Sequence, residues 1–327
     1  MKHKITLRYL FLLFLVSPLG GPAQPLGKAV VPEGVLKATV LIERMMTNET
    51  TQFVPPTNIL AVLEMQGTNR VAVAPTNLFR QVSVIETNYF PLGSGVLVIK
   101  DTKEQHVFIV TAGHVIPPDG DVFFRVATKN GSDAKHYSSK LASQLTGLAW
   151  VRSTNADLAI GPICFNQEED DIQVMVLSDH AATYGQVAIG DEVFVAGYPS
   201  SVASVSDAGV HIIRNGVVAS KSGNGMLLID AFTFPGNSGG PVFWKPSMGF
   251  DVAGFSPKIP ARGPNLVGIV LAYHPYREQA ISAVTGRERI IFESNSGLTD
   301  VVSASRILEF LVYPQVQEAL ARWNRAK

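Results

Sequence analysis

The chain has 327 residues, 46% hydrophobic and 17% charged, with 27 Lys plus Arg balanced by 27 Asp plus Glu. That length and apolar content suffice for a large buried core and exclude a disordered chain. A net charge of zero argues against a nucleic-acid partner, which a basic face would mark.

At the N-terminus, Lys2, His3, Lys4 and Arg8 precede the apolar run 9–16, and the small residues Gly20, Gly21 and Ala23 follow. The run falls short of the roughly 20 residues that span a bilayer, so residues 1–23 read as an export signal cleaved after Ala23. An uncleaved N-terminal anchor is the alternative, and the one membrane contact expected. Cys164 is the single cysteine, so no intramolecular disulfide can form. Export without disulfides suits a periplasmic or secreted protein. Cys164 itself, within Pro162-Ile163-Cys164-Phe165, reads as a small buried hydrophobe and not as a nucleophile.

Residues 24–92 carry no chemistry that can be read. Residues 35–42 are expected to open the first sheet, with 45–91 as a long insertion before the next strand at 93–99. Further β-branched runs then recur at 107–111, 122–126, 158–161, 187–189, 193–196, 210–213, 226–229, 242–244 and 267–272, punctuated by Gly, Asn, Asp or Pro. Closely spaced strands without intervening helices predict an all-β barrel or sandwich. The period changes at the C-terminus, where Ile307, Leu308, Leu311, Val316, Leu320 and Trp323 are spaced for an amphipathic helix. Ser303 or Ser305 could cap it, and Pro314 should kink it or divide it in two.

Three segments carry the chemistry: Thr111-Ala112-Gly113-His114, Asn155-Ala156-Asp157-Leu158-Ala159 and Gly236-Asn237-Ser238-Gly239-Gly240. A serine is a weak nucleophile at neutral pH. It needs a base to take its proton, and a carboxylate to hold that base in the right tautomer. His114, Asp157 and Ser238 supply those groups in that order. The glycines around Ser238 permit positive φ angles and close approach of a substrate carbonyl to backbone N–H groups.

These segments, with 190–199 and Asp230-Ala231, resemble the chymotrypsin-fold serine proteases, closest to the HtrA/DegP-like branch, over about 93–311. The resemblance implies a double six-stranded β-barrel with a C-terminal helix, and a trypsin-like peptidase domain at 93–327 without a PDZ module. It implies a serine endopeptidase acting on unfolded or extended polypeptides. His114 would be the base, Asp157 its orienting acid and Ser238 the nucleophile, with an oxyanion hole from the N–H groups of Gly236 and Ser238. By the same likeness Phe232 would lie at the base of the specificity pocket, with Leu271, Ala272 and Tyr273 along its wall. None is acidic, so small or medium apolar side chains should be preferred.

Asn237 stands where digestive-type relatives have an aspartate that pairs with a freed N-terminal ammonium. Asparagine cannot form that ion pair, so the likeness implies activation by loop rearrangement. No Cys/His cluster has metal-ligand spacing, and neither metal nor cofactor is expected. Oligomeric state is not readable. Two competing readings are a catalytically silent peptide-binding homologue and an esterase with a G-x-S-x-G elbow using Ser238, Asp251 and His274. The gap from Ser238 to Asp251 leaves no room for the helices and strands of the second.

Overall fold

The structure is a computed structural model that describes residues 31–325 except 32, 55–61, 67–68, 74–79, 104–105, 132–133, 204–210 and 251–256. The expected export signal at 1–23 lies outside the described residues.

The N-terminal half contributes β1 (Thr39–Val54), a hairpin of β2 (Val62–Gln66) and β3 (Asn69–Val73), β4 (Arg80–Ile99), β5 (Phe108–Ala112), β6 (Phe123–Val126), β7 (Lys135–Ser138), β8 (Val151–Arg152), β9 (Leu158–Pro162) and β10 (Met175–Val176). The rest supplies β11 (Glu192–Gly197), β12 (Ile212–Ser222), β13 (Met226–Asp230), β14 (Pro241–Trp244), a hairpin of β15 (Ser247–Phe250) and β16 (Pro257–Arg262), β17 (Leu266–Ile281) and β18 (Glu288–Ser303).

The chain is all-β in the sense expected, with two principal sheets. The second closes as a six-stranded barrel in the order β11-β12-β13-β18-β17-β14. The first differs in detail from a six-stranded ring. It is an eight-stranded sheet, ordered β7-β6-β1-β4-β5-β9-β8, with β10 added parallel to β4.

β5 and β9 are buried at every position and pair through Val110↔Ile160 and Thr111↔Ala159. A strand covered on both faces reads as a continuous apolar run and not as an alternation. Val96, Val98, Ile109 and Ile160 of the first sheet share one core cluster with Ala196, Phe243 and Ile269 of the barrel. Full burial of side chains of this size stabilises by roughly 1.5–3 kcal/mol each. The cluster runs between the two sheets, and the loops carrying His114, Asp157 and Ser238 start from strands that feed it.

The C-terminal helix is divided as Pro314 requires, into Ala304–Leu311 and Pro314–Arg325. Proline takes the first position of the second helix, where its missing N–H costs nothing. Ile307, Phe310, Leu311, Val316 and Leu320 turn inward onto the core. Ser303 occupies the N-cap position but makes no capping bond, and Ser305 Oγ instead accepts from the Tyr184 N–H at 2.7 Å.

Several local expectations change. Within 35–42, Glu33–Lys37 is helical, closed by a Lys37–Glu33 pair and the Thr39 hydroxyl on the Val35 carbonyl, so the strand opens at Thr39. The insertion continues β1 and β4 as a paired ribbon, through Thr47↔Thr87 to Val54↔Arg80. Residues 187–189 are not a strand. The Ala188 N–H is taken by Asp191 Oδ2 and the segment turns there. His106 is buried, and His136 Nε2 lies 3.0 Å from the buried Glu43 carboxylate.

Candidate active site

β5 ends in a single 3-10 turn, Gly113–Val115, which carries His114. Asp157 precedes β9, the strand paired with β5, so strand pairing alone brings acid and imidazole together. Oδ2 of Asp157 meets His114 Nδ1 at 2.5 Å, and Oδ1 accepts the His114 backbone N–H at 2.9 Å. The Gly113 N–H donates to the Asp157 carbonyl at 3.0 Å. A Cβ at Gly113 would lie 2.6 Å from Asp157 Oδ1, so only glycine lets the carboxylate close on the histidine.

Hydrogen bonding from His114 is the leading cause that holds the Asp157 carboxyl below its usual range, outweighing the opposing effect of burial. Binding the carboxylate at Nδ1 leaves Nε2 of His114 without a hydrogen-bond partner among the described residues. That is the tautomer in which a neutral imidazole presents a lone pair outward.

Ser238 sits in the turn before β14. Its hydroxyl donates to the Leu271 carbonyl at 2.9 Å, and not to His114. Gly236 has φ 96° and its missing Cβ would meet the Tyr198 carbonyl oxygen at 2.4 Å, so the turn accepts no larger residue there. The N–H groups of Gly236 and Ser238 have no acceptor among the described residues. Both are available to a ligand oxygen.

His114 and Ser238 line one pocket of about 260 Å³ with Thr233, Phe234, Pro235, Val270, Leu271, Ala272 and Tyr273. Leu271, Ala272 and Tyr273 thus stand at the pocket with the histidine and serine. Phe232 does not line it. The residue is 54% exposed and its ring lies against Gly297. Phe234, two residues on, forms the wall instead, with the Arg214 guanidinium 4.7 Å from its ring centre. Its position next to Pro235-Gly236 was the available signal in the sequence. Thr233, Pro235 and Val270 carried none.

Two described features speak against the rival constellation. His274 Nε2 pairs with Asp300 Oδ1 at 2.9 Å, Asp251 lies outside the described residues, and Ser238 leads into a strand and not a helix. Among the described residues no group of three His, Cys, Asp or Glu side chains could hold a metal ion.

The family model for the trypsin-like peptidase domain matches residues 93–246. The chain carries a trypsin-like serine peptidase domain. The matched span contains His114, Asp157 and Ser238, while Leu271, Ala272 and Tyr273 follow its end. No curated protein matches the sequence.

Among solved structures the chain is similar to the MamO protease domain from Magnetospirillum magneticum, at 17% identity over 86% of this chain and 100% of that one, with TM-score 0.42. It is similar to a serine endoprotease from Yersinia pestis, at 15% identity over 88% of this chain and 64% of that one, with TM-score 0.42. A third is the HtrA-type protease AlgW, solved with a decapeptide, at 18% identity over 84% of this chain and 62% of that one, with TM-score 0.40. The chain thus spans somewhat under two thirds of the length of the last two.

Proposed function

We propose that the peptidase domain is an endopeptidase using His114, Asp157 and Ser238 on extended polypeptide substrates. The observation that carries this reading is the Asp157–His114 pair at 2.5 Å, with the imidazole and Ser238 lining one pocket. Ser238 Oγ attacks the scissile carbonyl carbon and its proton passes to His114 Nε2. The tetrahedral oxyanion is met by the N–H groups of Gly236 and Ser238. Collapse breaks the C–N bond, with His114 returning the proton to the leaving amine. A water deprotonated by His114 then hydrolyses the acyl-Ser238 ester.

To reach His114 the Ser238 hydroxyl leaves the Leu271 carbonyl by rotation about χ1. A neutral hydrogen bond contributes about 0.5–1.5 kcal/mol net, so the exchange adds little to a reaction barrier. The same resting bond is the one feature that favours the second reading, a peptide binder without turnover.

A fluorophosphonate decides between the two. Labelling of the wild type, lost in Ser238→Ala, is expected for the peptidase, and an unlabelled, correctly folded wild type would overturn it. We further assign the protein to export, with 1–23 as the signal and 24–92 leading into the peptidase domain. No described helix is long and apolar enough to cross a membrane.

A further inference from the structure

The side chain at the centre of the turn that would form the oxyanion hole does not anchor it. Asn237 is fully buried, yet neither Oδ1 nor Nδ2 has a hydrogen-bond partner among the described residues. The side chain best placed to tether the turn therefore does not do so, and the tethers come from elsewhere.

Four hydrogen bonds meet at Ser94, a fully buried residue of β4 in the other sheet. Its hydroxyl donates to the Gly236 carbonyl at 2.7 Å, and the same oxygen accepts the Tyr198 N–H at 2.9 Å. Its N–H donates to the Ser238 carbonyl at 2.8 Å. Its carbonyl accepts the Thr111 hydroxyl at 2.7 Å, three residues before His114. Ser94 thus bonds to the strand that delivers the imidazole and to both oxyanion residues.

We propose that Ser94 is a positioning residue that fixes the Gly236–Ser238 turn in its oxyanion-binding conformation. The inference rests on the peptidase reading above. The Gly236–Asn237 peptide is held at both ends, its N–H donating to the Phe234 carbonyl at 3.0 Å and its C=O accepting from Ser94. A planar trans peptide held at both ends cannot rotate without breaking both bonds. The preceding peptide is oriented by the Ser200 N–H, which donates to the Pro235 carbonyl at 2.9 Å. That bond turns the Pro235 carbonyl towards Ser200 and the Gly236 N–H the opposite way.

Gly236 has no Cβ to restrict it, so the turn keeps its shape through these bonds. Without the Ser94 hydroxyl the buried Gly236 carbonyl is left unpaired, and the peptide rotates in search of a donor. The sequence signal was a hydroxyl residue between two glycines, Gly93-Ser94-Gly95.

The test is Ser94→Ala in the full chain. We expect kcat on a chromogenic peptide to fall about 100-fold with KM within about twofold, the scale of a misplaced oxyanion donor. Affinity for a peptide boronate, whose tetrahedral adduct carries negative charge at the oxyanion position, should fall by the same factor. Affinity for a non-covalent product peptide should not change.

A variant with unchanged kcat, or one that loses affinity for boronate and product peptide alike, overturns the inference. Should Ser94→Ala fail to fold, Ser94→Cys retains volume with a weaker donor and must show the same kcat-specific loss. Fluorophosphonate separates the two levels. If the wild type labels and Ser94→Ala labels equally fast, the Ser94 role alone falls, whereas an unlabelled wild type removes the peptidase reading and this one with it.

Discussion

Asp157 grips His114 at two points, with Oδ2 on the ring Nδ1 at 2.5 Å and Oδ1 on the backbone N–H at 2.9 Å. One carboxylate fixes both the tautomer of the imidazole and the orientation of the turn that carries it. In Asp157→Asn, Oδ1 can still accept from the backbone, so the turn should persist. An amide N–H facing Nδ1 forces the proton to Nε2, where the base is needed. We expect kcat to fall about 10⁴-fold, as for the same change in the serine-protease template, with the circular dichroism spectrum unaltered. Wild-type turnover in that variant would remove Asp157 from the catalytic group.

The same pair makes stability depend on pH in a defined direction. Bonding to His114 lowers the Asp157 carboxyl in the folded state relative to the unfolded chain. Its contribution is therefore complete above the ordinary aspartate value, about 3.9, and is lost as pH falls through the lower folded value. The Tm difference between wild type and Asp157→Asn should be largest near neutrality and shrink towards zero in strong acid. Because the carboxylate is 42% exposed, water screens the pair and the difference should be small even at its maximum. A Tm difference that stays constant from about pH 7 to pH 2 would contradict the lowered value, since the whole aspartate titration lies in that window.

What was legible in the sequence follows from how local the determining physics is. β5, β9, β14 and β11 after Glu192 were readable because strands buried on both faces are mostly apolar. Proline at 314 announced the break between the last two helices. The ribbon built by β1 and β4 was not readable, because pairs such as Thr47↔Thr87 depend on register between distant polar segments. Phe232 and Phe234 could not be told apart, since neither lies in a strand and no alternation fixes which ring faces the pocket. The contact of His136 with Glu43 was not readable either, because the two are far apart in sequence.

Glu43 supplies a stability prediction away from the site. Its carboxylate is fully buried and meets the Arg125 guanidinium, including Nε at 3.2 Å, and His136 Nε2 at 3.0 Å. Removing Arg125 strips the buried carboxylate of its guanidinium and leaves it only the weaker compensation of His136. Arg125→Ala should therefore cost about 3–5 kcal/mol, read as a lower urea midpoint at unchanged m-value. Glu43→Leu combined with Arg125→Met removes both charges and should restore most of that loss. An Arg125→Ala protein within about 1 kcal/mol of wild type would show that the pair is solvated, as surface pairs are.

Substrate preference follows from the pocket wall. Its lining from Thr233 to Pro235 and from Val270 to Tyr273 contains no carboxylate, so a lysine or arginine side chain entering it would lose hydration without gaining a counter-ion. We expect cleavage after Ala, Val or Leu in extended peptides, with the substrate backbone paired along Leu271–Tyr273 and the adjacent pocket setting selectivity. Phe234 is held against Arg214 and forms the wall, whereas Phe232 packs on Gly297 outside it. Phe234→Ala should therefore change the ranking of residues accepted before the scissile bond, and Phe232→Ala should leave it unaltered. Tyr273→Gly should open the pocket to phenylalanine. A peptide library profiled against wild type and these three variants checks all of this. Dominant cleavage after Lys or Arg, or a profile altered by Phe232→Ala and not by Phe234→Ala, would refute the pocket assignment while leaving the His114, Asp157 and Ser238 chemistry untouched.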